Sequence, residues 1–78
     1  MPRYFFNLYD DIVAIDEEGS ELPDLAAARA KAVASAREMS CAEVLKGRLN
    51  LKHRIEVTDE AGRLACTVHF ADVLTIEP

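Results

Sequence analysis

An alanine-rich run between Leu22 and Lys46 constrains this chain more than any other feature of it. It is the only stretch with sustained helical character, and the apolar runs on either side of it read as strands that need a cover. The start signal is Leu22-Pro23-Asp24-Leu25. Pro23 stops anything before it from continuing as helix. The Asp24 carboxylate can accept from a free amide of the first turn, and its charge suits the positive end of the helix dipole. Ala26, Ala27, Ala28, Ala30, Ala32, Ala34 and Ala36 follow, mixed with Arg29, Lys31, Arg37 and Glu38. Only Val33 and Ser35 are weaker helix formers. Lys46-Gly47-Arg48 is the stop, with positive charge at the C-terminal end and a glycine free to take the left-handed cap. At about 1.5 Å per residue the helix runs roughly 33 Å, more than a short four-stranded sheet covers, so its last turns overhang.

On a helical wheel Leu25, Ala28, Ala32, Ala36 and Met39 share one narrow face, with Ser35 at its edge. Most of these side chains are small, so the helix must lie close to the layer below and the bulk of the core must come from the strands. A second stripe runs through Ala26, Ala30, Val33, Arg37, Cys41 and Val44. Its plain reading is a partly exposed flank; the functional one is a close-packed contact with a partner helix.

Before the helix, Arg3 to Tyr9 reads as a strand with Tyr4, Phe6 and Leu8 on one side and Phe5, Asn7 and Tyr9 on the other. Asn7 makes the Tyr4/Phe6/Leu8 side the core side. Asp10-Asp11 can form a tight turn, and Ile12 to Asp16 returns as a second strand, which places Val13 opposite Leu8 and Ile15 opposite Phe6. Asp16-Glu17-Glu18-Gly19-Ser20-Glu21 then reads as a solvated acidic turn.

After the helix, the leucines of Leu49-Asn50-Leu51-Lys52 plug the open end of the core. His53 to Thr58 alternates with Ile55 and Val57 inward. Asp59-Glu60-Ala61-Gly62 is a hairpin turn, and Leu64 to Phe70 is the partner strand. A four-residue loop sets Val57 opposite Leu64, Ile55 opposite Cys66 and His53 opposite Val68. Ala71-Asp72 ends the strand, and Val73 to Ile76 is either a short edge strand or a packed tail. The sum is an α+β domain spanning residues 1–78: a two-layer ββαββ antiparallel sheet with one long helix packed on one face.

Seventy-eight residues leave no room for a second core, and 50% apolar with 29% charged residues describes a globular chain. Low aromatic content means a modest core, which association often supplements. A net charge of −5 argues against the phosphate neutralisation that dominates nucleic-acid binding. No stretch is apolar enough to span a membrane, and Met1-Pro2-Arg3-Tyr4 leads straight into a strand, so the expected location is the cytoplasm, with Cys41 and Cys66 as reduced thiols.

Chemistry is sparse. Cys41, His53, Cys66 and His69 lack the paired spacing of a zinc site. The acidic turn fits no calcium loop, the serines lie in no nucleophile elbow, and three dispersed glycines make no phosphate loop. No catalytic residue, cofactor or metal ligand is expected, and the chain reads as a non-enzyme. What remains is surface. The sheet face away from the helix carries Phe5, Asn7, Tyr9, Ile12, Arg54 and His69, along with Ala14, Glu56 and Thr67. Phe5, Tyr9 and Ile12 form an apolar patch that the tail, the far end of the helix or a partner must cover. The expected role is a small interaction module that binds itself, as a homodimer, or a protein partner there; stacking single-stranded nucleic acid on the aromatics is the alternative.

Several segments together carry a resemblance. They are Met-Pro-Arg-Tyr-Phe-Phe at the start, Asp16-Glu17-Glu18-Gly19 followed by Leu22-Pro23-Asp24-Leu25 and Ala27-Ala28-Arg29-Ala30, then Ile55-Glu56-Val57-Thr58-Asp59 and Phe70-Ala71-Asp72. The combination resembles a family of small alphaproteobacterial proteins, abundant in rhizobia and catalogued as a domain of unknown function. It implies a bacterial cytosolic protein and supplies no catalytic residue. A looser likeness is to HicB-type antitoxin domains, which also run from a hairpin through an acidic turn into an alanine-rich helix; that likeness implies a small toxin or regulatory partner.

Overall fold

The computed structural model describes residues 1–78. Its elements in chain order are β1 (Arg3–Tyr9), β2 (Val13–Ala14), β3 (Ser20–Glu21), α1 (Leu25–Leu45), β4 (Arg54–Thr58), β5 (Leu64–His69) and α2 (Phe70–Val73). The antiparallel sheet has the order β2-β1-β4-β5, and β3 extends the β2 side by pairing with β1 further along. α1 lies across one face of it, over β4 and β5. The architecture is therefore the two-layer α+β arrangement the sequence predicts, with the two hairpins joined at their inner strands, β1 and β4. No helix is long and apolar enough to cross a membrane.

The helix is built as its residues dictate. The Asp24 side chain accepts from the Ala27 N–H at 2.8 Å. At the other end the N–H groups of Lys46, Gly47 and Arg48 return to the carbonyls of Glu43 and Val44, and Gly47 takes φ 84°. Ala28, Ala32 and Ala36 have no exposed surface. Such small contacts let the helix sit low over Ile55, Val57 and Val68, which fill the space beneath. Two details differ from the wheel. Leu25 stands 43% exposed, because the first turn overruns the sheet. Ser40 is buried one turn past Ala36, and it can be, because its Oγ donates to the Ala36 carbonyl at 2.7 Å. Val44 and Leu45 overhang as expected.

β1 puts Tyr4, Phe6 and Leu8 against the core, and Lys31 on α1 holds its ammonium 4.9 Å from the Phe6 ring centre. The first hairpin departs from expectation by one residue. The Asp10 side chain accepts from the Ile12 N–H at 2.7 Å, drawing Ile12 into the loop. Leu8 then pairs with Ala14 and Tyr9 with Val13. A one-residue slip exchanges the faces, so Ala14 shares the side of Leu8, though still exposed at the sheet margin, while Val13 and Ile15 turn away and stand 55% and 57% exposed. The second hairpin keeps its faces but shifts by two. Val57 pairs with Cys66 and Ile55 with Val68, and a bulge at Thr58 sends Leu64 outward, 57% exposed. The five-residue loop Asp59–Arg63 makes the difference: the Asp59 N–H meets the Arg63 carbonyl, and the Asp59 carboxylate accepts from Ala61 and Arg63.

The tail forms no edge strand. Phe70–Val73 turns into α2, capped by Asp72 Oδ2 accepting from the His69 N–H at 3.0 Å. It folds toward α1, where Arg37 Nε donates to the Val73 carbonyl. Leu74 packs on the core and the last four residues are exposed, so the far face of the sheet is left uncovered by this route.

Candidate functional site

The strand registers place the far face in rows. Tyr9, Arg54 and His69 lie abreast across β1, β4 and β5, with Val13 beyond Tyr9 on β2. Asn7, Glu56 and Thr67 form the next row, and Phe5, Thr58 and Leu64 the third. The first row is organised by one cation: the Arg54 guanidinium stands 4.5 Å from the Tyr9 ring centre and its Nε donates to Glu56 at 2.8 Å. A cation–π contact with an ion pair at its side holds both Tyr9 and Arg54 half-buried on the surface. His69 sits at the margin, its Nδ1 3.4 Å from Asp72.

Five of the six residues expected on this surface thus share it, and one does not. Ile12 is 75% exposed in the β1–β2 loop, beyond the edge of the sheet. Val13 takes the place the alternation assigned to it. Asn7 is on the face but only 7% exposed, and its Oδ1 accepts from the Asp16 N–H at 2.9 Å. Its side-chain oxygen is spent holding the start of the acidic turn to β1.

Asp16 is the residue that sequence reasoning missed. Between β2 and β3 the edge of β1 has no strand beside it, and the Asp16 carboxylate substitutes for one. Its Oδ2 accepts from the Phe6 N–H at 3.1 Å, while Oδ1 accepts from the Glu18 and Gly19 N–H groups at 3.2 and 3.0 Å. Partial burial alone would raise this carboxyl, but those three donors together with the charge of Lys31 outweigh it and hold the group below its ordinary 3.8. A lowered folded-state value means that unfolding takes up a proton. The contribution is therefore complete above 3.8 and is lost as pH falls through the folded value. Asp16→Asn should be less stable than wild type at neutral pH, with the gap in urea midpoint narrowing as pH drops from about 5 to about 2. A gap that stays constant would refute this role.

A second polar cluster lies where the β1–β2 loop meets the end of α1. Arg48 bridges Asp11 at 2.7 Å and Glu43 at 3.0 Å around a cavity of about 160 Å³, and His53 lines it. The His53 ring packs edge-on to Phe70, with Nε2 3.5 Å from Asp11 Oδ1. This cluster ties loop to helix. No group of three His, Cys, Asp or Glu is arranged to hold a metal ion anywhere in the chain. Burial pushes the Cys66 thiol up, only partly offset by Arg29 beside it, so the thiol stays protonated and a poor nucleophile.

A model of the family described as Domain of unknown function (DUF6894) matches residues 3–71, from the first strand to the turn after the last. The chain belongs to the DUF6894 family. The matched span takes in every strand of this DUF6894 domain, α1 and the whole of the open face. Neither a curated protein nor a solved structure matches it.

Proposed function

We propose that this DUF6894 domain works by contact and not by catalysis, and that two copies of it meet through the open face of the sheet. The observation that carries the reading is the charge of that face. A chain of net −5 should repel its own copies, yet here Arg54 and Glu56 neutralise each other at 2.8 Å and Tyr9, Val13, Phe5 and Leu64 supply apolar surface around them. Across a two-fold axis the same Arg54 and Glu56 can exchange partners, which makes the surface complementary to itself. The domain is then a homodimeric bacterial module of the cytoplasm, of alphaproteobacterial origin. An antitoxin-like role would replace the second copy by a small protein partner.

Light scattering tests it. The wild type should give twice the 8.6 kDa monomer mass at high concentration. Tyr9→Ser, which removes the ring from the centre of the contact, should weaken association by about 2 kcal/mol or more. Tyr9 is half-buried at the surface and outside the core, so the variant keeps its fold. A wild type that stays at 8.6 kDa at every concentration ends the reading. The Tyr9–Arg54 stack also favours, as a second reading, a single-stranded nucleic acid laid on the face; oligonucleotide binding at low salt, with a monomeric protein, would be its signature.

A further inference from the structure

A different surface lies where α1 runs beside the free edge of the sheet. β5 pairs only with β4, so its outer side has no neighbour. The Phe70 N–H donates to the His53 carbonyl at 2.9 Å, and antiparallel alternation then turns the backbone groups of Cys66 and Val68 toward β4 and those of Thr67 and His69 outward. Asp72 already occupies the His69 N–H. Thr67 is thus the open rung of the edge, bounded on one side by that cap and on the other by the bulge at Thr58.

On its flank α1 presents a shallow apolar groove of about 460 Å³, floored by Ala26, Ala30, Val33 and Ala34 and walled by Arg29 and Arg37. Both arginines lie on the β5 side: the charge of Arg29 acts on the Cys66 thiol, and Arg37 spends its Nε on the Val73 carbonyl at the end of the segment that follows β5. Neither belongs to any of the chain's ion pairs, in a molecule with 14 acidic residues to 9 basic ones. Two guanidinium groups left without carboxylates beside an apolar floor call for an anionic partner. Their spacing says what shape it has. Eight residues of helix span about 12 Å, which is about four residues of extended chain. Positions i and i+4 of a strand share a face, with i+2 between them on that same face.

We propose that this groove and the Thr67 edge together take an extended acidic peptide from a partner protein, added to β5 as a strand. Carboxylates at i and i+4 reach Arg29 and Arg37, and a small apolar side chain at i+2 rests on Val33. The backbone bonds to Thr67 set the register, and the arginines select the sequence. The site is independent of the open face and stands whether or not that face dimerises.

The probe is the fluorescein-labelled peptide Thr-Glu-Thr-Val-Thr-Glu-Thr, with lysine in place of both glutamates as its control, titrated into the full chain and read by anisotropy. The glutamate peptide should bind, more weakly as salt rises, and the lysine peptide should not. The double variant Arg29→Glu/Arg37→Glu changes two exposed helix positions and should lower affinity about ten-fold or more. Thr67→Pro removes the outward N–H at an edge position, where proline is tolerated, and should weaken binding without touching the charges. Peptide should also slow hydrogen exchange of the Thr67 amide. Equal binding of both peptides, no binding of either, or an unprotected Thr67 amide would overturn the proposal. So would a concentration-dependent dimer abolished by the double variant, because the groove would then belong to a second copy.

Discussion

Phe70→Ala should cost this domain about 3–5 kcal/mol and bring it close to unfolding at room temperature. A chain of 78 residues has a total stability on the order of 4–12 kcal/mol. Phe70 is the largest fully buried side chain, 1% exposed, and it stands where the last strand turns into α2. Its ring meets His53 edge-on at 5.6 Å, its N–H donates to the His53 carbonyl, and the next residue's N–H donates to Leu51. One side chain therefore closes the end of the core that the expected leucine plug leaves open: Leu49 is half-buried and Leu51 is 37% exposed. The buried residues of α1 are three alanines and Ser40, too small to fill the vacated space. Urea denaturation should show the midpoint falling with little change in slope. Phe70→Leu, which keeps most of the volume, should lose only about 1–1.5 kcal/mol. If Phe70→Ala loses no more than Phe70→Leu, the ring is not the plug.

The parts of this fold legible in the sequence are those governed by periodicity. The alanine face of α1, the Asp24 cap, the inward Tyr4/Phe6/Leu8 side and the inward Ile55/Val57 side each follow from one residue type recurring at one spacing. That sufficed to tell the covered face from the open one, and so to bring Phe5, Tyr9, Arg54 and His69 together. What the pattern could not carry was turn chemistry. Two aspartates at the first hairpin suggested a two-residue loop, but Asp10 bonded back to Ile12 and moved the register by one. Matching apolar faces fitted the wrong register of the second hairpin equally well, because a shift of two preserves every face. Phe70 carried strand periodicity into a residue that begins a helical turn, and only the following Asp72, able to cap it, hinted otherwise.

The acidic turn hid most, and Gly19 is where its structure can be tested. This glycine has φ 71°, a conformation that L side chains rarely adopt, and a Cβ added there would lie 2.9 Å from Arg3 Cγ, from Phe5 Cε1 and from the Tyr4 carbonyl oxygen. Arg3 could swing its stem aside. The Tyr4 carbonyl could not move without β1, and the Gly19 N–H is one of the three that bind Asp16. Relief of the clash must therefore pull the turn off the strand edge, releasing the Asp16 lock and the β3 pairing with it. Gly62 supplies the control: its φ is 81°, but a Cβ there meets nothing within 4 Å. Gly62→Ala should lose about 1 kcal/mol, the cost of the left-handed backbone alone. Gly19→Ala should lose about 3 kcal/mol, lowering the melting temperature by about 12–24 °C. The difference between the two isolates the close approach of the turn to β1, because the backbone penalty is common to both. It also predicts a loss of hydrogen-exchange protection at the Phe6 amide, whose only acceptor across that edge is the Asp16 carboxylate. Equal losses at Gly19 and Gly62 would mean that the turn stands free of the strand, and that Asp16 is the surface carboxylate its sequence context suggests.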